Sequence, residues 1–228
     1  MGKLELNIVN EGKLYFETRA LINAGRTGRD STAVKKHIEE LRKEGINISG
    51  DIPIFHPKVR DRVTIDSEFE VLPNSKSCGE VEPVLLFANN KMYVGLGSDH
   101  TDREFEKVDI RVSKQIYPNV LAPDFWKYDE VAGYWDDLVL RSWVHKDGEK
   151  VLYQEDTLGT LLPPEELINR VKKNFLPDLN GLILFTGTVP IIGGQLIFSK
   201  YFGMELYDEK KNRSIRHEYT IKPITWIE

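Results

Sequence analysis

The stretch from residue 80 to 96, EVEPVLLFANNKMYVGL, consists of two apolar runs folded back on an Asn-Asn pair. Runs this short, bounded by turn residues, read as strands of a hairpin. LELNIV and KLYFETR around Asn-Glu-Gly form a second such hairpin near the N-terminus. From Ile52 to Val71 the pattern is short strands broken by Pro and Asp, and LILFTG, QLIFSKY, MELYD and HEYTIK return to strands at the C-terminal end. A strand-like VDIRVS lies within the mixed segment from Asp99 to Val120. Helices are few. Ser31 to Glu44 carries Val34, Ile38 and Leu41 at helical spacing, with Ser31 or Thr32 as cap and Gly45 as stop. Tyr128 to Val139 and Pro163 to Lys173 also read as helical. No regular strand-helix-strand alternation occurs, which argues against a doubly wound parallel sheet and for a mainly β, α+β fold.

Composition narrows the class of function. The chain has 228 residues, 40 % apolar and 29 % charged, enough to bury a full core. The net charge of −5 supplies no general attraction to nucleic acid or anionic lipid. Cys78 is the single cysteine, which excludes an internal disulfide framework and an all-cysteine metal site and fits a reducing, cytoplasmic compartment. Gly181 to Phe198 is long enough to raise a membrane span, but four Gly, one Pro and two Thr break it, and strand, tight loop and second strand fit better. No glycine-rich phosphate loop and no Gly-x-Ser-x-Gly elbow is present.

Glu80 and Glu82 start a strand-like run, and two residues apart on a strand means one face. Like charges there repel unless exposed, protonated or bridged by a cation, and a hard divalent ion prefers such oxygens. Asp99, after Gly-Leu-Gly-Ser, lies where the returning strand reaches the first strand's start; His100 and Asp102 beside it are alternative ligands. The plain alternative is an exposed strand and a polar loop. His37 and Glu40 share a helix face, as a surface pair or as an imidazole oriented for proton transfer. Lys114 is either a solvated lysine or an anchor for a carbonyl or carboxylate. Thr186-Gly187-Thr188 ends a strand with hydroxyls and amide N–H groups suited to an anion.

Taken in order, these pieces resemble the catalytic domain of the fumarylacetoacetate hydrolase superfamily. GEVEPVLLF resembles its E-x-E strand, SDHTDRE its N-D-x-S-x-R-D segment, VSKQIYPNVLAP its lysine-bearing stretch, YQEDTLGTLLPPEELI its Q-x-x-x-T segment, NGLILFTGTVPIIGG its T-G-T-P loop, and HIEE the H-x-x-E of its lid. The resemblance runs from about Gly25 to the C-terminus. It departs from the pattern at Val189 and Ile191, in the altered residues after Gly25-Arg26, and in the short gap from Glu82 to Asp99. These departures mark a divergent branch.

The resemblance implies a β-sandwich roll with a few peripheral helices, one catalytic region over 25–228 preceded by the hairpin of 1–24, and a homodimer. It places a metal ion on Glu80, Glu82 and Asp99: Mg²⁺ or Mn²⁺, with Ca²⁺ able to take the site in crystals. Catalysis falls to His37, Glu40 and Lys114, and substrate contacts to Gln154, Thr157 and Thr188, with Arg103 and Glu104 as a structural ion pair. The expected substrate is a small 2-oxo or 1,3-dicarbonyl acid and the expected reaction C–C bond hydrolysis, with decarboxylation, isomerisation and hydration as alternatives. A non-catalytic ligand-binding protein on the same scaffold, or a β-rich interaction module with solvated acids, are the competing classes.

Overall fold

The computed structural model describes residues 3–30, 32 and 52–226. Apart from Thr32, the expected helix from Ser31 to Glu44 lies outside the described residues, and with it His37 and Glu40. The strands are β1 (Leu4–Ile8), β2 (Gly12–Phe16), β3 (Ala20–Gly25), β4 (Ile54–Lys58), β5 (Val63–Thr64), β6 (Glu68–Val71), β7 (Ser77–Cys78), β8 (Val81–Ala88), β9 (Lys91–Asp99), β10 (Thr101–Asp102), β11 (Asn119–Leu121), β12 (Asp124–Lys127), β13 (Val139–Lys146), β14 (Glu149–Thr157), β15 (Leu182–Phe185), β16 (Tyr201–Asp208) and β17 (Arg213–Pro223). The helices are α1 (Arg103–Val108), α2 (Ile110–Ile116) and α3 (Pro164–Asn174). The chain is thus mainly β, as expected, and among the described residues no helix is long and apolar enough to cross a membrane.

Ten strands form one sheet in the order β2-β1-β12-β9-β8-β15-β3-β4, with β11 on β9 and β5 on β11. A five-stranded sheet, β14-β13-β16-β17-β6, packs against it. Both sequence-derived hairpins are present. Asn89 and Asn90 both take left-handed φ, 52° and 59°, and close the β8–β9 turn with Ala88 opposite Lys91. Asparagine tolerates that conformation, and such turns match the twist of paired strands.

Strand β8 is buried on both faces, which is why its apolar run is continuous rather than alternating. Val84, Leu86 and Ala88 point into a core with Tyr93, Phe125, Ile183 and Phe185. Val81, Leu85 and Phe87 point the other way, into the core shared with Phe202, Met204 and Leu206 of β16. The ten-stranded sheet therefore curls around its own core and still lies on the second sheet. Gln115 on α2 closes the roll: its amide donates to Pro57 O at 3.2 Å and accepts from Val59 N–H at 2.9 Å, just beyond His56 on β4.

Three local expectations are corrected. VDIRVS is helical, not a strand. Asp102 caps α1 and Asp109 caps α2, each accepting two backbone N–H groups of the first turn. The two caps outweigh the β-branched Val108, Ile110 and Val112, and Val108 and Val112 are exposed. The segment from Tyr128 to Val139 holds short 3₁₀ turns, Tyr128–Glu130 and Ala132–Asp137, with Tyr134 outside helical geometry. In QLIFSKY the strand begins only at Tyr201. The β13–β14 hairpin was not foreseen, although its Asp147-Gly148 turn, φ 52° and 87°, is a strong hairpin signal.

The absence of a side chain at residue 95 shapes the roll's interior. A Cβ there would lie 2.3 Å from Cε1 of the buried Phe125 ring. Gly95→Ala should cost about 1–3 kcal/mol through overpacking. Urea denaturation checks this, and Phe125→Leu in the same background should return part of the loss.

Candidate metal and substrate site

Glu80, Glu82 and Asp99 meet at one end of the roll's interior, each offering a carboxylate oxygen within 4.8 Å of the others. The register makes this possible. Glu82 stands opposite Gly97, and Asp99 N–H donates to Glu80 O at 3.0 Å, so the end of β9 delivers the third acid beside the first two. Glu82 is on the same face as Val84 and Leu86, and the acids continue the apolar stripe of β8 at its open end.

The three acids have different company. Glu80 meets Arg103 at 3.1 Å and Lys114 at 3.3 Å. Burial pushes its pKa up, but Arg103 and Lys114 outweigh that and hold it below the ordinary range. Asp99 meets Lys114 at 2.5 Å and Lys58 at 3.6 Å. Burial again pushes upward, and the two lysines win, holding Asp99 well below the ordinary carboxylate range. Among the described residues, Glu82 has only the Gly187 N–H, at 2.8 Å. Its burial, followed by the charges of Asp99 and Glu80, raises its pKa well above the ordinary value. Lys114 would be lowered by burial, but Asp99 and Glu80 hold it above its usual range. Lys58, 0 % exposed in its side chain, is pulled down to about 8 by burial against the attraction of Asp99.

The Thr-Gly-Thr segment clamps Glu82. Thr186 Oγ1 donates to Pro83 O at 3.0 Å and Thr188 Oγ1 to Val81 O at 2.7 Å, so both hydroxyls grip β8 on either side of the glutamate. Gly187 between them has φ 100° and turns its N–H onto the carboxylate. A Cβ there would lie 1.9 Å from Thr27 Oγ1. Gln154 is buried and completes the clamp. Its amide donates to Thr188 Oγ1 at 2.8 Å and Val189 O at 2.6 Å, and its carbonyl accepts from Ser142 Oγ at 2.9 Å and Val81 N–H at 3.3 Å. Gln154 and Thr188 therefore lie at the site with these groups engaged in holding the loop.

The structure does not bring Thr157 to the triad: it is exposed opposite Val139 and lines a surface depression with Tyr134 and Lys210. Arg103 does not pair with Glu104. It bridges Glu80 and Glu106, at 3.1 and 2.7 Å, and donates from Nε to Cys78 Sγ. His100 is buried on the opposite side of the strand from Asp99, packed edge-on against Phe69, Tyr117 and Tyr219. Burial pulls its pKa down to about 3. Sequence reasoning missed Lys58, Asn23 and Asn119. Asn119 Oδ1 accepts from Lys58 Nζ at 2.5 Å, and its amide donates to Asn23 Oδ1 at 2.9 Å. They come from β4, β3 and β11, and only the register of the closed roll unites them.

The donors fit a hard divalent cation. They are all carboxylate oxygens, as Mg²⁺ and Mn²⁺ prefer. Among the described residues, buried Asp99 Oδ1 has no hydrogen bond, only the Lys58 ion pair at 3.6 Å, and Glu82 makes no ion pair. Asp102 is occupied as a helix cap, accepting from Glu104 N–H and Phe105 N–H at 3.1 Å each. Asp99→Asn should therefore weaken Mn²⁺ binding by at least about tenfold. Asp102→Ala should leave that affinity within about twofold while costing about 1 kcal/mol of stability as a lost cap. Calorimetric titration and thermal melts of both variants separate the two; the reverse ranking would move the ion elsewhere.

Solved structures share this fold. Yeast ynq8, a fumarylacetoacetate hydrolase family protein, is 16 % identical over 90 % of this chain and 94 % of its own, with a TM-score of 0.64. A Yersinia pestis CO92 protein assigned to the same family is 16 % identical over 96 % of this chain and all of its own, at 0.66. The 2-keto-3-deoxy-D-arabinonate dehydratase complexed with magnesium and 2,5-dioxopentanoate is 16 % identical, covering 92 % of this chain and 75 % of its own, at 0.64. At this identity the likeness establishes the fold, the fumarylacetoacetate hydrolase-like roll that the motifs predicted. Comparison with curated protein sequences gives no match. The family model described as "Protein of unknown function (DUF2848)" matches residues 24–219, and the chain belongs to that family.

Proposed function

We propose that the chain is a Mg²⁺- or Mn²⁺-dependent enzyme acting on a 2-oxo or 1,3-dicarbonyl acid, with C–C bond hydrolysis as the reaction to test first. The observation that carries this reading is the triad of half-buried Glu80 with buried Glu82 and Asp99, and a lysine ammonium against two of its members. Glu80, Glu82 and Asp99 would hold the ion, which acts as a Lewis acid toward the oxo and carboxylate oxygens of a chelating substrate. The dehydratase of similar fold is complexed with magnesium and 2,5-dioxopentanoate, itself a 2-oxo acid, which supports the same pairing of ion and ligand here.

The chain's own groups divide the remaining work. Lys114 Nζ also contacts Thr101 Oγ1 at 3.1 Å, so it is held in place among Asp99, Glu80 and that hydroxyl. A fixed ammonium in a dry site stabilises negative charge developing on a neighbouring oxygen without having to reorganise. The Thr-Gly-Thr segment keeps the Glu82 carboxylate aimed inward. His37 and Glu40 are the candidates for moving a proton or activating water, the step on which hydrolysis and decarboxylation differ.

Turnover of acylpyruvates, oxaloacetate and 2-oxo-enoic acids should require Mg²⁺ or Mn²⁺ and disappear with chelator. Lys114→Met should lower turnover by about 10²–10³. It should leave Mn²⁺ affinity equal or tighter, because a positive charge leaves the neighbourhood of two ligands. Metal-independent turnover, or undiminished activity in Lys114→Met, would overturn the reading.

A further inference from the structure

Among the described residues, one buried imidazole enters the roll beside the site and has no part in the reading above. His56 lies on β4 two residues from Lys58, so both side chains leave the same face of the strand. Lys58 reaches the floor of the site at Asn119 and Asp99. His56 stands about 6.8 Å nearer the end where β4 begins, two residues at roughly 3.4 Å each. Its cross-strand neighbour is Asn23, and a Cβ on Gly25, where β3 ends, would lie 3.9 Å from its Nε2. Gln115, adjacent to Lys114, binds the main chain at Pro57 and Val59 and seats the lysine's helix against this strand.

His56 is 5 % exposed, yet its Nε2 has no hydrogen-bond partner among the described residues. Burial, and then the charge of Lys114, lower its pKa to about 4, so the ring is neutral at physiological pH. A buried ring nitrogen without a partner is rare and calls for an explanation. A ligand oxygen supplies one. Lys58, Val84, Leu86 and Phe185 are buried in the interior beside the triad, and the charges of Lys114 and Asp99 both act on the His56 ring, so the chain of a substrate chelated at the triad has this ring as a neighbour.

We propose that His56 is a substrate-contacting residue whose Nε2 hydrogen-bonds an oxygen on the substrate's chain beyond the 2-oxo acid end, and that it selects 2-oxo acids bearing such an oxygen. This rests on the reading of the triad as the site that chelates the 2-oxo acid. A buried polar group that a substrate leaves unpaired discriminates far more strongly than a gap in apolar packing.

Three probes separate the parts of this assignment, each measured on the full chain with saturating Mg²⁺. Oxalate presents only the chelating end. The pair 2-oxopentanoate and 2,4-dioxopentanoate has equal chain length and differs only in the oxygen at C4. In the wild-type protein, competition against oxalate should give 2,4-dioxopentanoate at least about tenfold tighter binding than 2-oxopentanoate. His56→Leu should bring that ratio close to one. His56→Gln, whose amide reaches nearly the same point, should keep most of it, and oxalate affinity should stay within about twofold in both variants. If the leucine variant fails to fold, His56→Ala carries the comparison, and melting temperatures without ligand report any structural loss. A wild-type ratio near one, a ratio that survives in His56→Leu or His56→Ala, or an equal loss for oxalate would overturn the assignment. Failure of oxalate to bind the wild-type protein with Mg²⁺ is a separate result, and it would overturn the chelate reading along with this one.

Discussion

A carboxylate enclosed with two others keeps its proton or takes a cation, and Glu82 is held in that condition by the fold itself. Its position follows from the pairing of β8 with β9, which sets Gly97 opposite it and brings Asp99 alongside Glu80. Much of the surrounding architecture maintains the arrangement. The Thr-Gly-Thr segment extends the β15–β8 pairing with the Thr186 N–H and adds two hydroxyls to it, and Gln154 spans from the second sheet to lock the loop. Orientation of ligand side chains by such outer contacts is what gives a metal site its geometry.

The contacts that close the roll and those that charge the site are the same. Lys58 comes from β4, at the far end of the sheet order, and reaches Asn119 and Asp99 on β11 and β9. Gln115 fastens the same strand to the helix that carries Lys114. An open sheet would have the E-x-E pair, which is local, but neither the ammonium on the floor nor the lysine above it. The site is therefore a product of tertiary closure, paid for by long-range contacts whose loop entropy must be met before they stabilise anything.

This explains which parts could be read from residues alone. Glu80 and Glu82 were accessible because a strand's period of two needs no knowledge of its neighbours, and Asp99 because a tight Asn-Asn turn determines where the next strand returns. Lys58 and His56 carry no local signal. IFHPK is an ordinary short strand, and its importance lies in which strand it meets after the sheet has curled. VDIRVS, residues 108–113, misled for the opposite reason. Its apparent alternation was local, but Asp102 and Asp109 each satisfy the first N–H groups of a helix, a stronger effect than the β-propensity of Val108, Ile110 and Val112. Gln154 and Thr188 were found by motif, and the geometry gives them work in holding β8 that spacing could not reveal.

The charges around the triad connect the ion with the acid on the proposed reading. Glu80, Glu82, Asp99 and Glu106 face Lys58, Lys114 and Arg103. With Glu82 protonated, as burial and its neighbours favour, the group is neutral. Binding a divalent ion with loss of that proton leaves one positive charge in a poorly hydrated interior, where unbalanced charge is costly. The carboxylate of one 2-oxo acid cancels it. Ion and substrate then each improve the electrostatic setting for the other, a coupling that is reciprocal by thermodynamic necessity. On that reading a monocarboxylate chelator achieves this balance where a neutral carbonyl compound does not, so a preference for an acid would follow from the protein's own cations as well as from the ion.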